Sequence, residues 1–312
     1  MKAIDGMLGL AIGDAMGVPI EFTNREVLLA KPVTKMLGYG NYEIPKGNWS
    51  DDTSMSLATM DSLTKCDKID LNDMMKRFCK WVNDGEYTST GFAFDIGHST
   101  KMALMKYYHN KIAPLKCGGR GISENGNGSL MRMFPIAYFA YKKDLTNEQI
   151  EYLAITTSSI THAHEISTMS CYIYMMYVNF ILRGYDKKKS YMLLREIDYS
   201  MFKKETIKLF KRILNEDISK LTIDDIRSSG YVIDTLEASL WVILNTNNYA
   251  EAIVGAINLG DDTDTVGAVT GSIAGILYGS KSIPENWLED LECRTYLQKM
   301  CSKFETIFKK LA

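Results

Sequence analysis

Residues 261–275 read DDTDTVGAVTGSIAG. The stretch opens on aspartate and threonine, which favour helix N-termini, and then runs apolar. Gly267, Gly271 and Gly275 recur every four residues, so they line one face of a helix. Glycine inside a helix costs roughly 1 kcal/mol against alanine. Close approach of a second helix along that face is the compensation. Such a wedge holds the carboxylates at the helix start, Asp262 and Asp264, in fixed positions.

Helical spacing governs the rest of the chain as well. Leu71, Met75, Phe78 and Val82 follow Asp70, a good N-cap. Residues 146–149, Thr-Asn-Glu-Gln, have capping-box form and open a helix running to about residue 160. Residues 164–183 are apolar almost all round and stop at Gly184, which predicts a buried helix with a glycine cap. Two more helices are expected over 232–244 and 249–259. No alternating strand pattern, β-α-β rhythm, repeat or Pro- or Ser-rich linker interrupts the 312 residues. The expected fold is all-α, one compact multi-helix domain over residues 1–312.

Composition excludes several function classes. A hydrophobic content of 46% supports a large core, and a net charge of -2 gives no reason to expect nucleic acid or a bilayer as partner. Six cysteines without a C-x-x-C pair read as reduced, mostly buried thiols. The N-terminus lacks a basic-then-apolar signal layout. Residues 169–182 form the most apolar stretch, too short for a span and carrying Ser170 and Asn179. A soluble, cytoplasmic monomer is expected.

A second acidic cluster, Ser50-Asp51-Asp52-Thr53, lies far from the first. Alone it reads as a helix cap. The cluster at 261–265, D-x-D-T, holds more carboxylate than a cap needs and lacks the glycine and distant glutamate of a calcium loop. Dense carboxylates repel unless positive charge sits between them. Two such clusters brought together make a site for two hard cations, Mg2+ or Mn2+.

Other segments are less specific. Residues 126–129, Gly-Asn-Gly-Ser, fit a turn into a helix or, equally, a backbone cradle for phosphate at a helix N-terminus. Residues 161–165, Thr-His-Ala-His-Glu, are not H-E-x-x-H and have no cysteine nearby, which argues against zinc. His162 fits a polar network or a substrate contact. Residues 95–100 look like a turn and N-cap. Gly13, Asp14 and Glu21 lie around the end of a first helix broken by Gly17 and Pro19.

Seven stretches together resemble the ADP-ribosylglycohydrolase family: GLAIGDAMGVPIEF (9–22), WSDDTSMSLA (49–58), FDIGHST (94–100), GNGSLMRMFPIA (126–137), ITHAHEIS (160–167), GYVIDTLEASLW (230–241) and NLGDDTDTVGAVTGSIAG (258–275). The resemblance implies an all-α fold with two magnesium or manganese ions in a cleft. It implies hydrolysis of the bond joining ADP-ribose to a modified protein side chain, arginine first, or to a related conjugate. Its metal ligands map onto Ser50, Asp51, Asp52, Asp262, Asp264 and Thr265. Serine stands where the family has threonine, keeping the hydroxyl. The resemblance gives Glu21 as the glutamate after the first helix and Gly126, Asn127 and Gly128 as the loop holding the diphosphate-ribose, with Ser129 next to it. His162 and Tyr231 map onto the ligand cleft. His98 stands where bacterial members carry asparagine, so it can change the accepted leaving group or add a titrating group.

Glu21 and Asp95 are the acid-base or positioning candidates, and Asp264 is expected to bridge both ions. Two rivals stay open. One is a two-metal nucleotide phosphohydrolase, which would release AMP rather than ADP-ribose. The other is a non-catalytic ADP-ribose-binding relative, which the full set of carboxylates disfavours.

Overall fold

Residues 2–309, those described in this computed structural model, form helix after helix. The first are α1 (Ala3–Gly17), α2 (Arg25–Ala30), α3 (Asp51–Cys66), α4 (Leu71–Asp84) and α5 (His98–Tyr108). Then come α6 (Phe134–Lys142), α7 (Asn147–Ser159), α8 (Glu165–Leu182), α9 (Lys187–Arg195), α10 (Lys204–Leu209) and α11 (Lys211–Leu214). The chain closes with α12 (Val232–Asn245), α13 (Tyr249–Ile257), α14 (Thr263–Tyr278), α15 (Glu285–Asp290) and α16 (Arg294–Thr306). No β-strand forms among the described residues; two isolated bridges join Gly119 to His162 and Gly126 to Tyr231.

The glycine face of α14 finds its partner at the other end of the chain. A methyl group on Gly267, Gly271 or Gly275 would strike the backbone of Gly13, Gly9 or Asp5 in α1. The reverse also holds: side chains at Gly9, Gly13 and Gly17 would strike the backbone of Gly271, Gly267 and residues 263–264. Both helices therefore contribute glycines at four-residue spacing, and their backbones touch. The Tyr249 hydroxyl donates to the Gly9 carbonyl at 2.8 Å and the Thr263 hydroxyl to the Gly17 carbonyl, also at 2.8 Å. These bonds fix the relative slide of α1, α13 and α14.

Around this pair lie α12, α13, α3 and α16. α8 is buried on almost every side and joins α14 through a 2.6 Å bond between the Tyr174 and Ser272 hydroxyls. Fully buried Trp49, Trp81, Phe134 and Tyr138 fill much of the remaining core. Burying large aromatics drives most of the folding free energy in such a bundle.

The expected helices form close to their sequence limits. Asp70 caps α4 by accepting from the Asp73 N–H at 3.0 Å. Thr146 and Gln149 close the capping box on α7 at 2.9 and 3.4 Å. α8 ends ahead of Gly184, which takes φ +97°. Residues 169–182 give no helix long and apolar enough to cross a membrane, as expected; the one such helix among the described residues is Ala3–Ile20. Its glycines and Asp14 mask its apolar character in sequence. Yet 83% of it is buried inside the fold, with its glycine face taken by α14. All six cysteines are free and four of them are buried.

Candidate active site

The two acidic clusters are helix starts, and the fold brings them together. Ser50 caps α3: its hydroxyl accepts from the Asp52 N–H at 3.4 Å and donates to Asp52 Oδ2 at 3.0 Å. Asp262 caps α14, accepting from the Thr265 N–H at 3.3 Å. The capping and metal readings are thus one arrangement, because each helix N-terminus also carries the partial positive charge that favours carboxylates.

Oxygens of Asp14, Asp52 and Asp264 lie within 4.8 Å of one another, and so do oxygens of Glu21, Asp95 and Asp264. Asp264 is common to both groups. Asp51 and Thr265 line the cleft beside them, and Ser50 is bonded to Asp52. These groupings differ from the sequence-based ligand set. Asp14, Glu21 and Asp95 enter the clusters, while Asp262 Oδ2 is engaged by the Asn127 side-chain amide at 2.8 Å.

Burial pushes Asp51, Asp52 and Asp264 well above the usual carboxylate range, with the neighbouring carboxylates adding to it. Burial and then Asp95 push Glu21 up to about 9. Burial raises Asp262, opposed by its bond to Asn127. Glu21 Oε2, Asp52 Oδ1 and Asp264 Oδ2 are buried with no hydrogen-bond partner among the described residues. Buried acceptors without donors are rare in proteins, and hard cations take such oxygens. The donor set therefore fits divalent cations.

Above the acids lies a cleft of about 430 Å³. Glu21, Asp51, Asp95, Glu124 and Asp262 are its acidic lining residues, and Thr265 lines it too. His98, Gly126, Gly128 and His162 also line it, and no lysine or arginine does among the described residues. His98 is the exposed first residue of α5. Tyr231 caps α12 and stands 36% exposed, outside the residues lining the cleft. Ser129 lies beneath the lining, fully buried, bonded to Ser158 at 2.9 Å and against Cys171. A larger groove of about 790 Å³ runs between residues 115–122 and α10, but it holds none of the acidic clusters.

The Gly126–Ser129 loop is held differently from the phosphate-cradle expectation. No helix opens there; α6 starts only at Phe134, after a run of turns. The loop instead docks on residues 230–232, with the Asn127 N–H on the Gly230 carbonyl at 3.1 Å and the Val232 N–H on the Asn125 carbonyl at 3.0 Å. The Asn127 amide turns inward to Asp262 and to the Thr235 hydroxyl, both at 2.8 Å. Gly128 leaves room: a Cβ there would come 3.0 Å from His162 Cε1 and 3.1 Å from Thr100 Oγ1.

The N-cap expected within residues 95–100 falls on Gly97, with Asp95 in irregular backbone at φ +52°. Asp95 does not cap; it accepts from the Tyr42 hydroxyl at 2.7 Å. Two supporting residues escaped the sequence. Tyr42 lies in an irregular loop without a pattern. Asp14 sat in a quoted motif but read as an ordinary helix-end residue. Its carboxylate accepts the Ser50 N–H at 2.9 Å, the Thr53 N–H at 3.0 Å and the Thr53 hydroxyl at 2.6 Å. It clamps the start of α3, and burial moves its pKa up to about 6 against those bonds.

The ADP-ribosylglycohydrolase family profile matches residues 1–311. This chain belongs to the ADP-ribosylglycohydrolase family. The ADP-ribosylarginine hydrolase Tri1 of Serratia proteamaculans is 36% identical over 293 residues, covering 93% of this chain and 75% of that protein. The dinitrogen reductase ADP-ribosyl glycohydrolase of Rhodospirillum rubrum is 28% identical, covering 94% and 91%. A solved structure described as an ADP-ribosylglycohydrolase-related protein complex superposes with a TM-score of 0.81 at 27% identity, covering 98% of this chain and 97% of that one. The all-α architecture and the membership read from seven stretches both hold for this ADP-ribosylglycohydrolase.

Proposed function

We propose that this enzyme is a divalent-metal-dependent ADP-ribosylarginine hydrolase, releasing ADP-ribose from a modified arginine of a protein. The observation that carries the metal is the set of orphaned oxygens on Asp52 and Asp264, in the first turns of α3 and α14, and on Glu21 beside Asp264. The arginine acceptor rests on the relatives from Serratia proteamaculans and Pseudomonas putida, at 36% and 35% identity, both named ADP-ribosylarginine hydrolases. Asp52 and Asp264, with Asp51, Asp262, Thr265 and Ser50 around them, hold two cations, Mg2+ or Mn2+. When bound, these ions supply the charge that lets the acids ionise, orients ribose hydroxyls and eases deprotonation of water.

The chain's own residues do the rest. Glu21 Oε2 is the atom placed to take the proton of the attacking water or return it to the leaving nitrogen. Asp95, held by Tyr42, positions the ribose and leaving group beside it. Gly126 and Gly128 let the ligand's diphosphate-ribose lie against backbone and His162. Tyr231 stands at the rim for the adenosine end. The enzyme works as a cytoplasmic monomer and engages neither membrane nor nucleic acid.

The deciding experiment offers arginine- and serine-linked ADP-ribosyl peptides with and without divalent cation. Free ADP-ribose from the arginine peptide, lost on chelation and restored by Mn2+ or Mg2+, is expected. AMP as product makes the enzyme a phosphohydrolase. Full turnover after exhaustive chelation ends the two-metal reading.

A further inference from the structure

Arg132 is fully buried yet pairs with no carboxylate among the described residues. Its Nη2 donates to the Thr157 carbonyl at 3.1 Å and to Thr161 Oγ1 at 2.7 Å. Its Nε and Nη1 have no partner among the described residues, and its guanidinium lies over the Phe78 ring at 4.9 Å. A lone buried cation is costly, so its placement calls for a reason.

Thr161 Oγ1 lies 2.9 Å from His162 Nδ1. A hydroxyl has one hydrogen to give and two lone pairs to offer. Arg132 can only donate, so it occupies a lone pair and turns the hydroxyl hydrogen away from itself. Among the described residues, Nδ1 is the one acceptor then bonded to that oxygen. Were Nδ1 the protonated nitrogen, the hydroxyl hydrogen would be buried without an acceptor. Nδ1 therefore accepts, and the ring proton sits on Nε2. Nε2 faces the cleft: Cβ atoms built at Gly126 and Gly128 would come 3.7 and 3.4 Å from it. Burial and then the Arg132 charge hold the ring neutral, with its pKa lowered to about 3.

We propose that Arg132, acting through the Thr161 hydroxyl, is a positioning residue that fixes His162 as the Nε2–H tautomer and makes it a permanent hydrogen-bond donor to the ligand's diphosphate or ribose oxygens. This rests on the reading of the cleft as an ADP-ribose site. It answers a need of that cleft, because an anionic diphosphate enters a wall without lysine or arginine and must be met by neutral donors. A freely tautomerising histidine would present a lone pair to the anion part of the time. The buried arginine removes that option without placing its own charge in the cleft.

The test reads the proton directly. The protein is labelled with 15N-histidine, and the rings of its four histidines are assigned by single substitution. In the free enzyme, His162 is expected to show a protonated Nε2 and a bare Nδ1 across the assay pH range. Thr161→Val keeps the shape but removes the hydroxyl; a mixed or reversed tautomer is expected. Thr161→Ser restores the wild-type pattern. A proton on Nδ1 in the wild type, or an unchanged tautomer in Thr161→Val, overturns the proposal, and neither depends on whether Arg132 variants fold.

Calorimetry with ADP-ribose then reads the consequence. Affinity is expected to fall roughly tenfold in Thr161→Val, the scale of one hydrogen bond to a charged group, and to return in Thr161→Ser. A moved proton with unchanged affinity overturns the link from His162 to the ligand. Failure of the wild type to bind ADP-ribose overturns the functional reading instead, and the tautomer result still stands.

Discussion

The starts of α3 and α14 perform the same task with different support. At α3 the turn is held by charge-assisted bonds: three donors from Ser50 and Thr53 converge on the carboxylate of Asp14. At α14 it is held by packing: a glycine face lets the helix lie backbone-to-backbone on α1. Both supports come from α1, one as a side chain and one as empty space. Two clusters can therefore be placed within a few ångströms of each other by a single helix that contacts both. The difference lies in sensitivity. The polar clamp responds to pH, whereas the glycine wedge responds to volume.

The largest effect is expected where the two regions meet. Asp264→Ala removes the residue common to both carboxylate groups. It should lower kcat/KM on the order of a thousandfold, about 4 kcal/mol of barrier. The chelated variant should melt no lower than the wild type, since one mutually repelling carboxylate is gone. Kinetics and a thermal melt of the same sample check this, and near-normal turnover would mean that Asp264 bridges nothing.

Next comes the wedge. Gly271→Val forces a branched side chain against the Gly9 carbonyl, where backbone cannot yield. A loss of about 3 kcal/mol is expected from overpacking, and more if the helices separate. Metal affinity should fall along with stability, because both starts are hung on α1. Intact metal binding in a destabilised variant would show that the α14 start holds without its wedge.

The clamp should give less. In Asp14→Asn the new amide N–H groups face backbone N–H donors, at a cost of roughly 1–3 kcal/mol. Its signature is pH. Folding raises Asp14 from 3.8 to about 6 and Glu21 from 4.5 to about 9. A group raised on folding contributes stability that is complete below its unfolded value and lost as pH climbs through its folded value. The Tm of the chelated wild type should thus fall from about pH 4 to about pH 9, at about 2 °C per kcal/mol. Asp14→Asn should remove the limb near pH 6 and leave the Glu21 limb. Saturating Mn2+ should flatten both, as cations take the place of protons. A chelated protein whose Tm rises across that range contradicts the buried-acid description.

The smallest effect is expected at His98, the exposed first residue of α5 on the cleft wall. His98→Asn should shift one limb of the pH–rate profile and leave cation affinity unchanged. Superimposable profiles would remove His98 from the chemistry.

Periodicity, caps and the glycine spacing made α4, α7, α8, α12, α13 and α14 legible along the chain, because each depends on neighbours within a turn or two. The two acidic clusters were legible for the same reason: N-cap chemistry is local, and an excess of carboxylate over what a cap needs shows in four residues. Seven short stretches sufficed for the family. Contacts distant in sequence were not legible. The partner of the α14 glycine face, more than two hundred residues away, could not be read from residues 267–275, although Gly9, Gly13 and Gly17 carry the same spacing. Nor could Asp14 as a clamp on α3, Asn127 as the amide on Asp262, Tyr42 on Asp95, or Arg132 behind Thr161 and His162. A hydrogen bond across the fold leaves no periodic trace, since either partner alone reads as an ordinary polar residue. Local preference settled the long helices that carry the acidic clusters and which residues hold charge; the meeting of α1 with α14 settled which charges share a site.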